Sequence, residues 1–212
     1  MTLRRRWLFA ILVTLGGCRD ASAPLDERRV VGDVVSSASE YGDIHVLRQS
    51  PTAPRLESYQ VSFWAHQDQA STVTVNYEPT EGLSVGGPFL RFDVPREALR
   101  TGPDGLRLGA RDSVFITLTI DPDNFSIEFA PSGLIFSRRH PATLAMWYGN
   151  ADPDVNDDGV VDATDQTLAD QLAIWGRHEN EPRWRESSSH TEAGQQWISA
   201  ALRHFSEYAV CW

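Results

Sequence analysis

The sequence contains no lysine: all 19 of its basic residues are arginine, set against 29 Asp plus Glu in 212 residues for a formal net charge of −10. That skew reads as codon usage and carries no functional weight. The arginines are scattered, so the basic face that neutralises phosphates is missing and nucleic acid is excluded as a partner. Two cysteines rule out a disulfide-rich miniprotein. The six histidines (His45, His66, His140, His178, His190 and His204) never fall within four residues of one another. With no HExxH and no Cys/His cluster, a zinc hydrolase has no support. A GxSxG nucleophile elbow, a glycine-rich phosphate loop and βαβ alternation are missing too. What remains is an acidic globular chain, long enough for one domain plus appendages.

Arg4, Arg5 and Arg6 precede an apolar run from Trp7 to Leu15, then Gly16, Gly17 and Cys18. A positive head, a core too short to span a bilayer and small residues at its end read as a secretory signal over residues 1–17. The ending resembles a bacterial lipobox, which implies cleavage before Cys18 and a diacylglycerol on its sulfur. A plain signal peptide or a short membrane anchor are the alternatives. Cleavage would remove three arginines and no acid, taking the charge from −10 to −13. Arg19, directly after the cysteine, implies transfer to the outer membrane where the cell has one. Residues 18–56 read as a tether, partly structured, in which Val30, Val31, Val34 and Val35, and later Ile44, Val46 and Leu47, are expected to form short strands. Cys211, left without a partner, is expected as a buried thiol in a terminal strand.

From Glu57 the pattern has period two. Tyr59, Val61, Phe63 and Ala65 alternate with polar neighbours, as do Val73, Val75 and Tyr77. Further strands are expected over Phe89–Val94, Val114–Ile120, Phe125–Phe129, Leu144–Tyr148 and Phe205–Trp212, with Gly, Pro and Asp turns between them. The pattern predicts an all-β, Greek-key-like sandwich over residues 57–212. FLRFDVPREAL (Phe89–Leu99), SVFITLTI (Ser113–Ile120), FAPSGLIF (Phe129–Phe136), HPATLAMWY (His140–Tyr148) and HFSEYAV (His204–Val210) together resemble a bacterial ZU5-like β-sandwich. The resemblance is broken after Tyr148 by an acidic insertion at about 150–180.

Residues 154–165 read DVNDDGVVDATD. With Asp154 at position 1, Asn156 stands at 3, Asp158 at 5, Gly159 at 6, Val160 at 7, Asp162 at 9 and Asp165 at 12. That is the register of an EF-hand-type Ca²⁺ loop, in which a hard cation collects six to eight oxygens from a chain curled around it. The expected ligands are the side chains of Asp154, Asn156, Asp158, Asp162 and Asp165 and the Val160 carbonyl, with the sharp turn at Gly159. Asp at position 12 and the run that follows resemble a dockerin repeat, which implies an exit helix. Leu168, Leu172 and Trp175 mark its apolar face over Ala163–Trp175, with Gly176 as its stop. Gly149, Asn150 and Pro153 exclude a long entering helix. Asp152 and Asp157 are expected to face solvent. A dockerin has two loops and this chain has one, so the loop reads as a staple for the insertion.

His204-Phe205-Ser206 has a second reading. In some ZU5-containing proteins His-Phe-Ser is a self-cleavage site, which implies attack by Ser206 on the Phe205 carbonyl. The structural reading packs Phe205 and Tyr208 inside and turns Ser206 to solvent. Trp147, Trp175, Trp184, Trp197 and Trp212 read as core around the insertion, although exposure on one face would make them a sugar platform. The overall expectation is a non-catalytic, lipid-anchored envelope protein with bound Ca²⁺, whose other partners would be an envelope protein or a glycan. A protein- or carbohydrate-binding module and a self-cleaving domain are the alternatives.

Overall fold

Period-two alternation builds most of the strands. In β5 (Ser113–Ile120), Val114, Ile116, Leu118 and Ile120 are buried while Phe115 and Thr119 are exposed. The structure, a computed structural model, describes residues 44–82, 85–177 and 183–212. Cys18, the signal segment and the tether up to residue 43 lie outside them.

Two antiparallel sheets carry the core. The first runs β1 (Gln60–His66), β5, β6 (Ser126–Ala130), β13 (Glu207–Cys211), β9 (Ala173–Arg177), β10 (Arg185–Glu186). The second runs β11 (Ser189–Glu192), β12 (Trp197–Leu202), β8 (Ala142–Trp147), β3 (Pro88–Val94), β2 (Ser71–Asn76). A small ribbon pairs β4 (Leu99–Thr101) with β7 (Ile135–Phe136). The chain passes back and forth between the sheets, and the last strand, β13, is inserted between β6 and β9. The fold is thus the expected all-β sandwich with one short helix. Among the described residues no helix is long and apolar enough to cross a membrane.

Aromatic side chains join the layers. Phe92 of the second sheet lies 5.0 Å from Phe129 of the first, and Phe205 touches both, at 5.9 and 4.9 Å between ring centroids. Phe136 adds an edge contact to Phe205 at 5.0 Å. The packing also reaches ahead of Glu57. The Leu47 amide donates to the Val210 carbonyl and its carbonyl accepts from the Phe125 amide, and Leu47 and Leu56 are both buried. Cys211 is the expected buried free thiol in the terminal strand, and burial pushes its pKa up.

The exit helix is shorter than its apolar spacing predicts. α1 spans Ala163–Ala169, and the chain then enters β9, which holds Trp175 and Gly176. Backbone pairing to β13 on one side and β10 on the other overrides the helical pattern. Gly176 is therefore no helix stop. It sits beneath the Tyr208 ring, where a Cβ would come within 2.7 Å of Cε1. Gly176→Ala is expected to destabilise the protein by about 1–3 kcal/mol through overpacking, read from urea denaturation. An unchanged midpoint would show that the ring is free to move away.

Candidate metal centre

The acidic segment occupies the connection from β8 to β9. At its base, residues 48–50 lie against residues 150–152: Ser50 N–H donates to the Asn150 carbonyl at 2.9 Å and Asp152 N–H to the Arg48 carbonyl at 2.9 Å. The Arg48 guanidinium pairs with Asp157 and stands 4.0 Å from Asp152. Asp157 is exposed, as expected, whereas Asp152 is half-buried; both stand beside a cation supplied from more than 100 residues earlier in the chain. Nothing local in the sequence marks Arg48 for this role within a segment that reads as a partly structured tether.

Within the loop, side-chain oxygens accept from backbone amides in a closed pattern. Asp154 accepts from Asp158 N–H at 3.1 Å and Gly159 N–H at 2.7 Å. Asn156 Oδ1 accepts from Asp158 N–H at 3.1 Å, and Asp158 Oδ1 from Val160 N–H at 2.9 Å. Asp157 and Gly159 have positive φ, 61° and 84°, on either side of Asp158. The left-handed region suits glycine and is tolerated by aspartate, and two such residues curl the chain tightly.

Asp165 ties the two ends together. Its Oδ1 accepts from the amides of Val155 at 2.8 Å and Asn156 at 3.3 Å, and its Oδ2 from the Asp162 amide at 2.7 Å. Asp162 is the N-cap of α1 and accepts from Thr164 N–H at 2.6 Å, so Asp162 and Asp165 form a capping box. Asp165 is buried at 3% exposure. The Asp162 amide, ahead of the Asn156 and Val155 amides, holds its carboxyl below the ordinary aspartate value, with desolvation opposing.

Asp154, Asn156, Asp158, Asp162 and Asp165 are thus each engaged by backbone amides of the loop. Among the described residues no group of three or more His, Cys, Asp or Glu side chains is placed so that it could hold a metal ion. The set expected from the spacing is a mixed one of carboxylates, one amide oxygen and one backbone carbonyl. The carboxylates rest on amides; an oxygen that accepts one such bond keeps a second lone pair, whereas Asp165 Oδ1 already accepts two. All-oxygen donors of this kind suit a hard divalent cation.

At the other candidate, Ser206 is 5% exposed and does not face solvent as expected, while Phe205 and Tyr208 are buried. Ser206 Oγ lies 3.4 Å from His204 Nδ1, and Tyr208 Oη donates to the His204 carbonyl at 2.8 Å. Burial pushes the Tyr208 pKa up to about 12. Among the described residues the non-glycine positions with positive φ are Glu97, Asp157 and Gln196, none of them at this tripeptide. Of the five tryptophans around the insertion, Trp184 is buried and Trp147, Trp175, Trp197 and Trp212 are half-buried. The exposed aromatic pair is another one: Trp64 on β1 and Phe115 on β5, at 57% and 48% exposure and 5.2 Å apart. Their parity was the available signal, since both fall on the polar face of their strands.

Compared with protein-family models, curated proteins and solved structures, the chain matches none.

Because the folded value of Asp165 is depressed, its ionised form contributes stability that is complete above the ordinary value of 3.8 and is lost as pH falls through the lower folded value. Melting temperature should therefore fall as pH drops below about 4. Asp165→Asn should lower the melting temperature at neutral pH and flatten that acid limb. An acid limb unchanged in the variant would remove Asp165 as its source.

Proposed function

We propose that this chain is a non-catalytic, lipid-anchored protein of the bacterial cell envelope, a ZU5-like sandwich whose dockerin-like insertion is stapled by one Ca²⁺. The loop carries the reading: five oxygen-bearing side chains stand at EF-hand spacing in sequence, and the two ends of the loop are tied by the three amides that Asp165 collects. Asp154, Asn156, Asp158, Asp162, Asp165 and the Val160 carbonyl would hold the ion. Without it, carboxylates packed into one loop repel one another, and the ion supplies the missing positive charge. Tethering through Cys18, with export to the outer membrane, rests on the lipobox-like N-terminus. The tripeptide at Ser206 is read as structural, because β13 is paired on both sides and no left-handed backbone strain drives an attack.

Extracellular calcium modules have a Kd of about 10⁻⁴–10⁻³ M, so about 10 mM Ca²⁺ should stabilise the protein by about 1.4–2.7 kcal/mol. That corresponds to a melting temperature roughly 3–10 °C above the value in chelator, measured by circular dichroism. Asp158→Ala should abolish the difference. Equal melting in calcium and chelator would end the calcium reading.

The exposed Trp64–Phe115 pair favours a second reading, a carbohydrate-binding module. Around it stand Ser62 and Thr117, 2.8 Å apart, and Gln60 and Thr119, all uncharged. Indole faces stack on sugar C–H groups, while hydroxyl and amide side chains bond their hydroxyls. On this reading Trp64→Ala weakens retention on a neutral polysaccharide column about ten-fold, a loss on the order of 1.4 kcal/mol. Equal retention of both proteins would leave the platform without a role.

A further inference from the structure

The arginines that look scattered in sequence are gathered by the fold. Four segments enclose an open cavity of about 910 Å³: the turn after β1, residues 96–101, residues 105–110 and residues 137–140. Backbone bonds sew them together, from Glu97 N–H to the Gln67 carbonyl at 2.9 Å, Leu108 N–H to the Arg100 carbonyl at 3.0 Å and Ser137 N–H to the Ala98 carbonyl at 2.7 Å. Arg96, Arg100, Arg107, Arg138, Arg139 and His140 line the cavity, and the carboxylates in its lining are Asp68 and Glu97. With His140 neutral, the lining carries an excess of three positive charges in a chain whose net charge is −10.

Pairing separates these arginines from others. Arg48, Arg91 and Arg177 each reach a carboxylate at hydrogen-bond distance. In the cavity, Glu97 stands 3.9 Å from both Arg96 and His140. Arg100, Arg107, Arg138 and Arg139 have no side-chain hydrogen bond or ion pair among the described residues. Like-charged guanidinium groups held around one cavity repel one another, and an anion relieves the repulsion. The planar guanidinium fork matches phosphate, sulfate and carboxylate in bidentate fashion. A concave space of this size suits a small ligand.

We infer that the cavity binds a small ligand carrying two or more oxyanion groups, either a free phosphate compound or an acidic sugar. The test is calorimetric titration of the full chain, in low-salt buffer without calcium, with inorganic pyrophosphate, a sulfated disaccharide and a neutral disaccharide. At least one of the two anions should bind with Kd below about 1 mM. Binding should weaken about ten-fold or more in Arg100→Gln/Arg107→Gln and in Arg138→Gln/Arg139→Gln, and also on raising the salt. Arg55→Gln/Arg203→Gln, at exposed positions outside the cavity, is the control and should bind like the parent. Melting temperatures confirm that each variant is folded. Pyrophosphate binding alone assigns the phosphate source and disaccharide binding alone the acidic sugar; both support the site. The inference is overturned if neither anion binds, if the neutral sugar binds equally well, or if the control pair weakens binding as much as the cavity pairs.

Discussion

The two sheets are held together by phenylalanine. Phe92, Phe129, Phe136 and Phe205 form a continuous set of ring contacts that crosses the sandwich, and Phe205 is its centre although it lies between β12 and β13. Each ring is at most 2% exposed. Burial on this scale dominates folding energetics, and offset or edge-on ring geometry adds specificity. Because Phe205 packs where the chain leaves the second sheet, β13 is delivered between β6 and β9, and the first sheet closes around it. The tripeptide that resembles a cleavage site thus also lies where the chain passes from one sheet to the other, with Phe205 and Ser206 buried.

The acidic excursion between β8 and β9 is held by constraints of a different kind. Polar contacts dominate it: the Asp165 carboxylate at its neck, a capping box at the start of α1 and Arg48 reaching across from the N-terminal segment. Such contacts are individually modest in water, so a loop organised by them depends on charge balance. The guanidinium acts on Asp152 and Asp157, which alternate with the carboxylates at the EF-hand positions. In this way residues 44–56, the described part of a segment that reads as a partly structured tether, belong to the architecture.

Local pattern carries far for strands whose alternation is strong. β1, β3, β5 and β6 stand within a residue or two of where Val, Ile, Leu and Phe at every second position place them. It fails where the buried positions are small or the strand is short. In β12 the inward residues are Ile198, Ala200 and Leu202, and the alanine weakens the signal. β9 has helical spacing in its sequence and extended structure in the fold, because ladder partners on both sides outweigh an amphipathic face too short to stand alone.

The candidate calcium ligands were legible because a cation loop is a local device: its donors lie within twelve consecutive residues, and their spacing is the chemistry. The exposed pair Trp64 and Phe115, the Arg48 clamp and the arginine-lined cavity are of another kind. Each joins residues separated by tens of positions, and their neighbours in sequence do not reveal which side chains will meet. Composition and periodicity decide that the chain makes a sandwich with an acidic turn. Only strand order and register decide which charges and rings share a surface, because those contacts exist once distant strands are paired.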